Sequence, residues 1–455
     1  TRRFQLANGL QVLHVPRPGG EVVGLALGFR VGARHERADQ RGLSHLLEHL
    51  TFAGTARWTE IELRDQVAAR GGLWNGFTNQ EQTAYVTILP AGEILAGLEY
   101  LRQVGFEPRL GAEPLERERR VIESEAGQSG WRWAVALRRW LARRRLVGDV
   151  GEVLDEYLHP APAQWDPTIG YPWTRRRLTL ADVHAHHRRF YTTTQACLVV
   201  LGGRSTRAVS ALIQQVFGGL PARPAEPQPP TPPAPLAVGR RLRLPLMTIN
   251  EELDLVAAIP YGGEQDPDWP AISLLRFVIQ EVLHHRLRTE LGLVYRVDVD
   301  GRVAPDHGFL SVGISVPAKR RAEAERELTA CLDRLQAGDL DAATWDRVCA
   351  QTRGKWVLAR QDAGEFLEWL VRRAGAFERH PAGTWVTRLE APPLDEGRRA
   401  LGRLLAPERR LLIVQEPSLA LMFGLFLSLG LLFLALAFGL EFVIKLMRAW
   451  LAVWV

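Results

Sequence analysis

The sequence predicts an α+β fold of two similar α/β sandwich halves, followed by one membrane-spanning helix. Three observations support this prediction. A proline-rich stretch divides the chain near its middle, strand-like and helix-like segments recur in the same order on both sides of it, and a long charge-free run lies near the end. At 455 residues the chain is also longer than one hydrophobic core usually serves, which favours more than one domain.

The composition is that of a globular protein, with 46% hydrophobic and 24% charged residues. The formal charge of +6 predicts a basic surface. No nucleic-acid-binding signature accompanies this charge, so we expect no nucleic-acid partner. The three cysteines, Cys197, Cys331 and Cys349, are an odd number without CxxC spacing. This pattern suggests neither a disulfide framework nor a thiolate zinc site.

The first half is predicted to span residues 1–217. Val22–Val31 (VVGLALGFRV) has the composition of a buried strand, and an apolar segment that carries two histidines, residues 42–50, follows it as a helix. The apolar run Cys197–Leu201 closes this half as another strand. Strands that alternate with longer helices indicate a sandwich of helices on a sheet.

Residues 218–239 (GGLPARPAEPQPPTPPAPLAVG) read as a semi-rigid linker, because proline at this density allows neither helix nor sheet. In the second half, residues 240–416, the strand-like Leu253–Ile259 precedes a helix predicted from about Ala271, and Arg410–Val414 closes the half. The same order in both halves predicts an internal duplication. The second copy lacks the histidines, so only the first could hold a metal at this place.

The segment Leu419–Leu440 holds 22 residues without a charge, which is long enough to cross a bilayer as a helix. A buried hairpin helix is the alternative, although such helices seldom lack a polar face over this length. We therefore expect a single-pass membrane helix, followed by an interfacial tail, residues 441–455, with tryptophan and basic anchors. Basic residues flank the run on both sides, so its orientation, and the side of the membrane on which the two halves lie, are left open.

The stretch Gly42–Leu50 (GLSHLLEHL) places three polar side chains in an apolar run. On a helix His45 and His49 share a face, and Glu48 lies on the same side. Two imidazoles can hold a hydrolytic zinc ion and leave a position for water, while a carboxylate accepts the water's proton. The order of residues is the inverted form of the HExxH motif. Two core histidines bonded to backbone carbonyls are the alternative.

This stretch resembles the zinc helix of the pitrilysin-type metallopeptidases, or inverzincins, a family that includes the mitochondrial processing peptidase. In that family the last zinc ligand is a glutamate about 75 residues after the second histidine, with another glutamate seven residues before it. Here Glu125 follows His49 by 125 − 49 = 76 residues, and Glu118 precedes Glu125 by seven. The resemblance implies that Zn²⁺ is bound by His45, His49 and Glu125, and that Glu118 orients a ligand imidazole.

Gly71–Tyr85 (GGLWNGFTNQEQTAY) resembles the family's Gly-Gly-x-x-Asn-Ala-x-Thr block, with Gly76 where alanine is usual. In relatives this block is an edge strand that pairs with the extended substrate, which implies that Asn75 contacts peptide near the zinc. On its residues alone, the block could be a glycine-rich hairpin with no binding role.

In the second half, Leu287–Tyr295 (LRTELGLVY) resembles a family element whose arginine and tyrosine reach across to the metal site. The resemblance implies that Arg288 holds a substrate carbonyl or carboxylate and that Tyr295 donates to the developing oxyanion. An isolated arginine and tyrosine at this spacing would more often belong to a salt bridge and a core.

The resemblance covers residues 4–415 and implies two homologous domains of the processing-peptidase type. It also implies a membrane-anchored zinc metalloendopeptidase that cuts short unfolded peptides, such as leader, signal or targeting segments. Relatives enclose their substrate with four such domains, whereas this chain supplies two, so a homodimer or a heterodimer with a related subunit is expected. The alternative is a non-catalytic scaffold subunit of a membrane complex, resembling the core proteins of respiratory complex III.

Two further features have no assigned role. Trp131–Arg145 (WRWAVALRRWLARRR) reads as a basic, tryptophan-rich helix, either a solvated face or a surface that binds anionic headgroups. His184, His186 and His187 have helical spacing but no carboxylate partner, so we do not expect a second metal site there.

Overall fold

A computed structural model describes residues 1–126, 167–203, 205–224, 239–246, 252–304, 306–374 and 392–439, together with residues 150, 154, 158, 444, 445 and 447. Two β-sheets form its framework, one on each side of the proline-rich stretch. Residues 225–238 of that stretch, the basic segment 131–145 and most of the tail 441–455 lie outside the described residues. The sequence predictions for these segments stay predictions.

The first sheet has six described strands, in the order β1-β2-β6-β3-β5-β4. They are β1 Arg2–Gln5, β2 Gln11–Val15, β3 Val22–Phe29, β4 Leu73–Thr78, β5 Thr83–Pro90 and β6 Ala196–Leu201. β2 and β6 run parallel, and all other neighbours are antiparallel. The predicted edge strand is β4, which pairs with β5 on one side and ends the described sheet on the other.

Helices cover one face of this sheet. They are α1 Leu43–Phe52, α2 Glu60–Ala68, α3 Ile94–Phe106, α4 Ala112–Glu125, α5 Leu180–Phe190 and α6 Thr206–Phe217. Each of them contributes buried residues to a single core with Val23, Leu25, Leu27 and Phe29 of β3. These four residues alternate along the strand, as expected because successive side chains point to opposite faces.

The second sheet has the strand order β7-β11-β8-β10-β9. Its strands are β7 Arg240–Leu246, β8 Glu252–Tyr261, β9 Val297–Val303, β10 Gly308–Pro317 and β11 Leu411–Pro417. Its helices are α7 Trp269–Leu283, α8 Arg321–Gln336, α9 Ala342–Ala359, α10 Ala363–Ala374 and α11 Leu394–Leu404. In order and direction the five strands match β2-β6-β3-β5-β4, which confirms the predicted internal duplication.

Each half also covers the outer face of the other half's sheet, an arrangement that the sequence did not predict. Helix α10 of the second half packs on the first sheet through Phe366, Leu367, Leu370 and Val371. In return, the helical residues Val150, Leu154 and Leu158 pack on the second sheet. The close approach of α10 explains Gly24 in β3, because a Cβ there would lie 3.1 Å from Leu367 Cδ2.

The charge-free C-terminal run forms helix α12, Leu419–Phe438. Most of its described large side chains are exposed, among them Phe423, Phe426 and Phe433. Several other residues of α12 have side chains outside the described set. Within the described residues no helix combines the length and the apolar character needed to cross a membrane. The predicted membrane span is therefore unsupported by the structure.

The packing of α10 on the first sheet predicts that Leu367→Ala destabilises the protein by about 2–5 kcal/mol, because the change leaves a cavity under a fully buried side chain. Leu358→Ala is the control, since Leu358 is exposed on the neighbouring helix α9 and its truncation should cost under about 0.5 kcal/mol. Urea unfolding of both variants checks this. Equal midpoints for the two would show that α10 does not stabilise the first sheet.

Candidate metal centre

Helix α1 presents the metal-binding motif because its two sides differ. Its core side is formed by Leu43, Leu46, Leu47 and Leu50, which are at most 2% exposed. These leucines hold the helix on the sheet and leave the histidines to face other elements. α1 contacts helix α4 and strand β4, so both elements lie beside the motif.

The structure brings together the three predicted ligands. The rings of His45 and His49 lie with their centroids 4.8 Å apart. His45 Nε2 is 3.7 Å from Glu125 Oε1, and His49 Nε2 is 3.4 Å from Glu125 Oε2. Zinc–ligand distances of about 2.0–2.2 Å place the donor atoms of a tetrahedral site about 3.3–3.5 Å apart. The two contacts involve different oxygens of Glu125, and one donor atom from each of the three residues lies within 4.8 Å of the others. The donor types fit Zn²⁺, and the side chains would close in by about an ångström around the ion.

Glu118 lies beside His49, as the sequence predicts. Its Oε2 is 3.4 Å from His49 Nδ1, and Arg117 Nε donates to its Oε1 at 3.0 Å. The hydrogen bond with His49 is the main reason why the pKa of Glu118 is lowered, so this carboxylate is ionised. An ionised acceptor keeps the proton of His49 on Nδ1 and turns Nε2 towards Glu125, which is the tautomer that a metal ligand needs.

The two imidazoles differ in their surroundings. Burial, with the nearby charge of His49, lowers the pKa of His45 to about 4, so His45 is neutral at physiological pH. Burial also disfavours the charged form of His49, but the hydrogen bond to Glu118 and the neighbouring carboxylates raise its pKa overall. His45 Nδ1 is buried and has no hydrogen-bond partner among the described residues. Among the described residues, only His49 has a side chain that holds its Nδ1.

Glu48 is 7% exposed, and Thr78 Oγ1 donates to its Oε2 at 2.6 Å. Burial raises the pKa of Glu48, which strengthens it as a proton acceptor. Its other oxygen lies against β4, where a Cβ on Gly76 would be 2.8 Å from Oε1. Glycine at this position therefore avoids a close contact with the carboxylate and with the Phe52 ring, whose Cε2 would also be 2.8 Å from the Cβ.

A cavity of about 590 Å³ contains the cluster and opens along β4. The strand residues that line it are Trp74, Asn75, Gly76, Phe77 and Thr78. Asn75 is exposed, and its Oδ1 accepts only from the backbone of the next residue in the described structure. The predicted substrate residue thus lies at the metal centre with its amide group available.

Arg288 and Tyr295 are not brought into this cavity, whose described lining comes only from the first half. The Arg288 guanidinium lies 5.0 Å from the centre of the Tyr295 ring, and Tyr295 is 82% exposed. The two residues form a pair on the surface of the second half. Their assignment to the site stays a prediction.

Thr78 and Glu36 are site residues that the sequence analysis did not single out. Thr78 has a sequence signal, because it lies two positions after Gly76 on the same face of an edge strand. Glu36 is 6% exposed, and its carboxylate accepts backbone hydrogen bonds at the start of α1. Only the folded chain reveals this contact.

Two of the three histidines of helix α5 have structural contacts, and His184 is exposed. His186 Nε2 lies 3.2 Å from Ser44 Oγ, and His187 Nε2 lies 3.0 Å from the carbonyl oxygen of Gly105. In the part of the chain that the structure describes, the His45, His49 and Glu125 cluster is the one group of three such side chains placed to hold a metal.

Comparisons with known proteins agree with this fold. The family model described as Insulinase (Peptidase family M16) matches residues 11–143, and the one described as Peptidase M16 inactive domain matches residues 177–352. An uncharacterized zinc protease of Mycobacterium leprae is 26% identical over 380 residues, 81% of each chain. The mitochondrial-processing peptidase subunit beta of Blastocladiella emersonii is 27% identical over 225 residues, 49% of this chain and 45% of that one.

Solved structures share the whole two-sheet architecture. A protease from Helicobacter pylori superposes with a TM-score of 0.73 at 18% identity, over 91% of this chain and 99% of the other. A peptidase M16 inactive domain from Pseudomonas fluorescens has the same TM-score at 16% identity, over 92% and 98%. The fold is that of the peptidase class with the inverted zinc motif. The chain belongs to the M16 family, which contains the insulinase-type and pitrilysin-type peptidases.

The buried histidine beside α1 predicts a pH-dependent stability. Burial lowers the pKa of His186 to about 3, whereas histidine in the unfolded chain titrates near 6.5. Below pH 6.5 the unfolded state therefore binds more protons, and stability falls as the pH falls towards 3. We expect His186 to account for a loss of about 2 kcal/mol between pH 7.5 and pH 5.

Urea unfolding of the wild type and of His186→Gln at both pH values measures this loss. The variant should have the smaller difference between the two pH values, while His184→Gln, at an exposed position of the same helix, should behave as the wild type does. Identical pH dependence in wild type and His186→Gln would show that the folded protein does not hold His186 neutral.

Proposed function

We propose that this chain is a zinc metalloendopeptidase that hydrolyses short unfolded peptides. The observation that carries the proposal is the convergence of His45, His49 and Glu125 beside the buried carboxylate Glu48, next to a free sheet edge. A structural helix needs no such arrangement, because burying Glu48 and partly burying the two histidines costs free energy. The zinc proteases among the relatives support the same assignment.

His45, His49 and Glu125 would hold the zinc ion through Nε2, Nε2 and a carboxylate oxygen. When bound, zinc polarises the scissile carbonyl and lowers the pKa of a water molecule. Thr78 holds one oxygen of Glu48, which leaves Oε1 to accept the proton of the attacking water and then to give it to the departing amine. Glu118 keeps the His49 proton on Nδ1 throughout.

The substrate is proposed to bind as an added strand along β4. Among the described strands β4 has no neighbour on its outer side, so its edge offers backbone donors and acceptors. Affinity would then come from main-chain hydrogen bonds, which demand no particular sequence. Only an extended segment can pair in this way, which favours unfolded leader, signal or targeting peptides over folded proteins. Asn75 would add a side-chain hydrogen bond near the scissile bond.

The chain is proposed to act as a homodimer or with a related subunit. A relative bears the name of a processing-peptidase beta subunit, and the second half here matches a model named for an inactive domain. A second chain would complete the enclosure of the substrate. Arg288 is still proposed to hold a substrate carbonyl or carboxylate. Tyr295 is still proposed to donate a hydrogen bond to the oxyanion that forms as water attacks the peptide.

A scaffold subunit of a membrane complex is the second candidate function, and the match of the second half to an inactive-domain model favours it. Cleavage of an unstructured peptide by the detergent-purified full chain separates the two candidates. We expect Glu48→Gln to keep its zinc and to lose about 10²–10⁴-fold in turnover, since general-base catalysis supplies about that much. Glu125→Gln should lose both turnover and zinc, because it removes a proposed zinc ligand.

Glu123→Gln is the matched control for the ligand variant. Glu123 lies on the same helix as Glu125 but accepts from Arg176 Nε at 3.2 Å, so its replacement should change neither zinc content nor activity. A wild type that holds zinc and cuts no peptide, alone or with a related subunit, would favour the scaffold function. A wild type without zinc would contradict the peptidase directly.

Anchoring in a membrane through residues 419–440 is a further part of the proposal. The apolar composition of α12 and the exposure of its described side chains support it, since an uncovered apolar helix is unfavourable in water. After a high-pH carbonate wash, the full chain should stay in the membrane pellet and a chain ending at residue 417 should move to the supernatant. If the full chain also moved to the supernatant, membrane anchoring would be contradicted.

A further inference from the structure

The first turn of α1 must be held in a fixed position, because it carries a proposed metal ligand. His45 is the third residue of this helix, so a proposed metal ligand lies where helices fray most readily. The first backbone N–H groups of a helix have no partner within it, and a side chain of the residue before the helix usually caps them. That residue is Gly42 here, which has no side chain to offer.

The identity of residue 42 is fixed by its surroundings. Gly42 has φ +98°, and a Cβ at this position would lie 2.7 Å from the carbonyl oxygen of Ile169. A serine, threonine or aspartate cap is therefore excluded by both backbone conformation and space. The helix start needs an acceptor from elsewhere in the chain.

Glu36, six residues before Gly42, supplies that acceptor. Its Oε2 accepts from the Gly42 N–H at 2.8 Å, and its Oε1 accepts from the Ser44 N–H at 2.6 Å. The carboxylate also lies at the positive end of the helix dipole. Arg41 Nη1 donates to the carbonyl oxygens of Ala33 and Glu36, which fixes the loop that carries Glu36.

The two ligand histidines depend on this cap to different extents. His49 lies one turn further into α1 than His45, and its ring is oriented by Glu118 of α4. The Nδ1 of His45 has no hydrogen-bond partner among the described residues, so the position of its ring depends more on the backbone that carries it than that of His49 does. The residue that fixes that backbone is Glu36, through the amide of Ser44 directly before His45.

We propose that Glu36 is a positioning residue of the metal centre, whose carboxylate fixes the first turn of α1 and thereby places His45 Nε2 beside Glu125. This inference rests on the proposed zinc site and extends it to a residue that contacts no ligand side chain. On this proposal the loss of Glu36 would weaken metal binding, whereas the loss of an ordinary helix cap would lower only the stability of the protein.

The test compares Glu36→Gln with Glu62→Gln in the full-length protein. Glu62 is the matched control, because its Oε2 accepts from the backbone and hydroxyl groups of Thr59 at the start of α2, a helix that carries no proposed ligand. Zinc affinity is measured by chelator competition. Co²⁺ substituted into each protein gives a visible spectrum that reports the geometry of the ligands, and thermal unfolding of the metal-free proteins gives stability.

We expect Glu36→Gln to weaken zinc binding about 10- to 100-fold, the usual effect of losing a group that supports a ligand, and to shift the Co²⁺ spectrum. Glu62→Gln should change neither. Should Glu36→Gln fail to fold, Glu36→Asp gives the same readouts, because the shortened side chain cannot reach both amides. Lower stability with unchanged zinc affinity and Co²⁺ spectrum would overturn the inference and leave Glu36 a structural cap.

The readouts do not depend on peptide cleavage. A wild type that binds zinc but cuts no peptide would refute the proposed activity and still allow the role of Glu36 to be decided. A wild type that binds neither Zn²⁺ nor Co²⁺ would refute both.

Discussion

The contact between helices α1 and α4 is the interaction on which the metal centre depends. Helical spacing alone places His45 and His49 on one face, but two imidazoles do not make a stable hydrolytic site. The third donor comes from the end of α4, so the site exists only where the two helices are held together. Leucines on the core side of α1 and Leu115 and Ile122 of α4 belong to one core, which makes the site a consequence of hydrophobic packing.

Local spacing allowed much of the site and the fold to be predicted. The predictions agree with the structure for the strands and helices around the motif, for the duplication, and for the placement of Glu118 and Glu125. Each of these could be predicted from hydrophobic periodicity or from its spacing to a family motif. The cap by Glu36 had no such signal, since it joins a loop carboxylate to amides that any sequence possesses. Arg288 and Tyr295 were assigned by resemblance alone, and the described cavity does not include them.

Ionisable groups with shifted pKa values gather around α1. Burial raises the pKa of Glu36 to about 7 and that of Glu48 above its usual value, and it lowers those of His45 and His186. Each shift marks a group that would be more stable in water, so together they reduce the stability of this region. Such a concentration of unfavourable burial is typical of functional sites, and the corresponding place in the second half holds the apolar helix α7 instead.

The reciprocal covering of the two sheets has a consequence for how the polypeptide can be divided. Neither half is a complete folding unit, because each leaves one face of its sheet for a helix that the other half encodes. The halves are therefore joined by hydrophobic packing as well as by the covalent link through the proline-rich stretch. A gene interrupted there would encode two fragments that complement each other, whereas a fragment that ends before α10 would expose the outer face of the sheet that carries the metal centre.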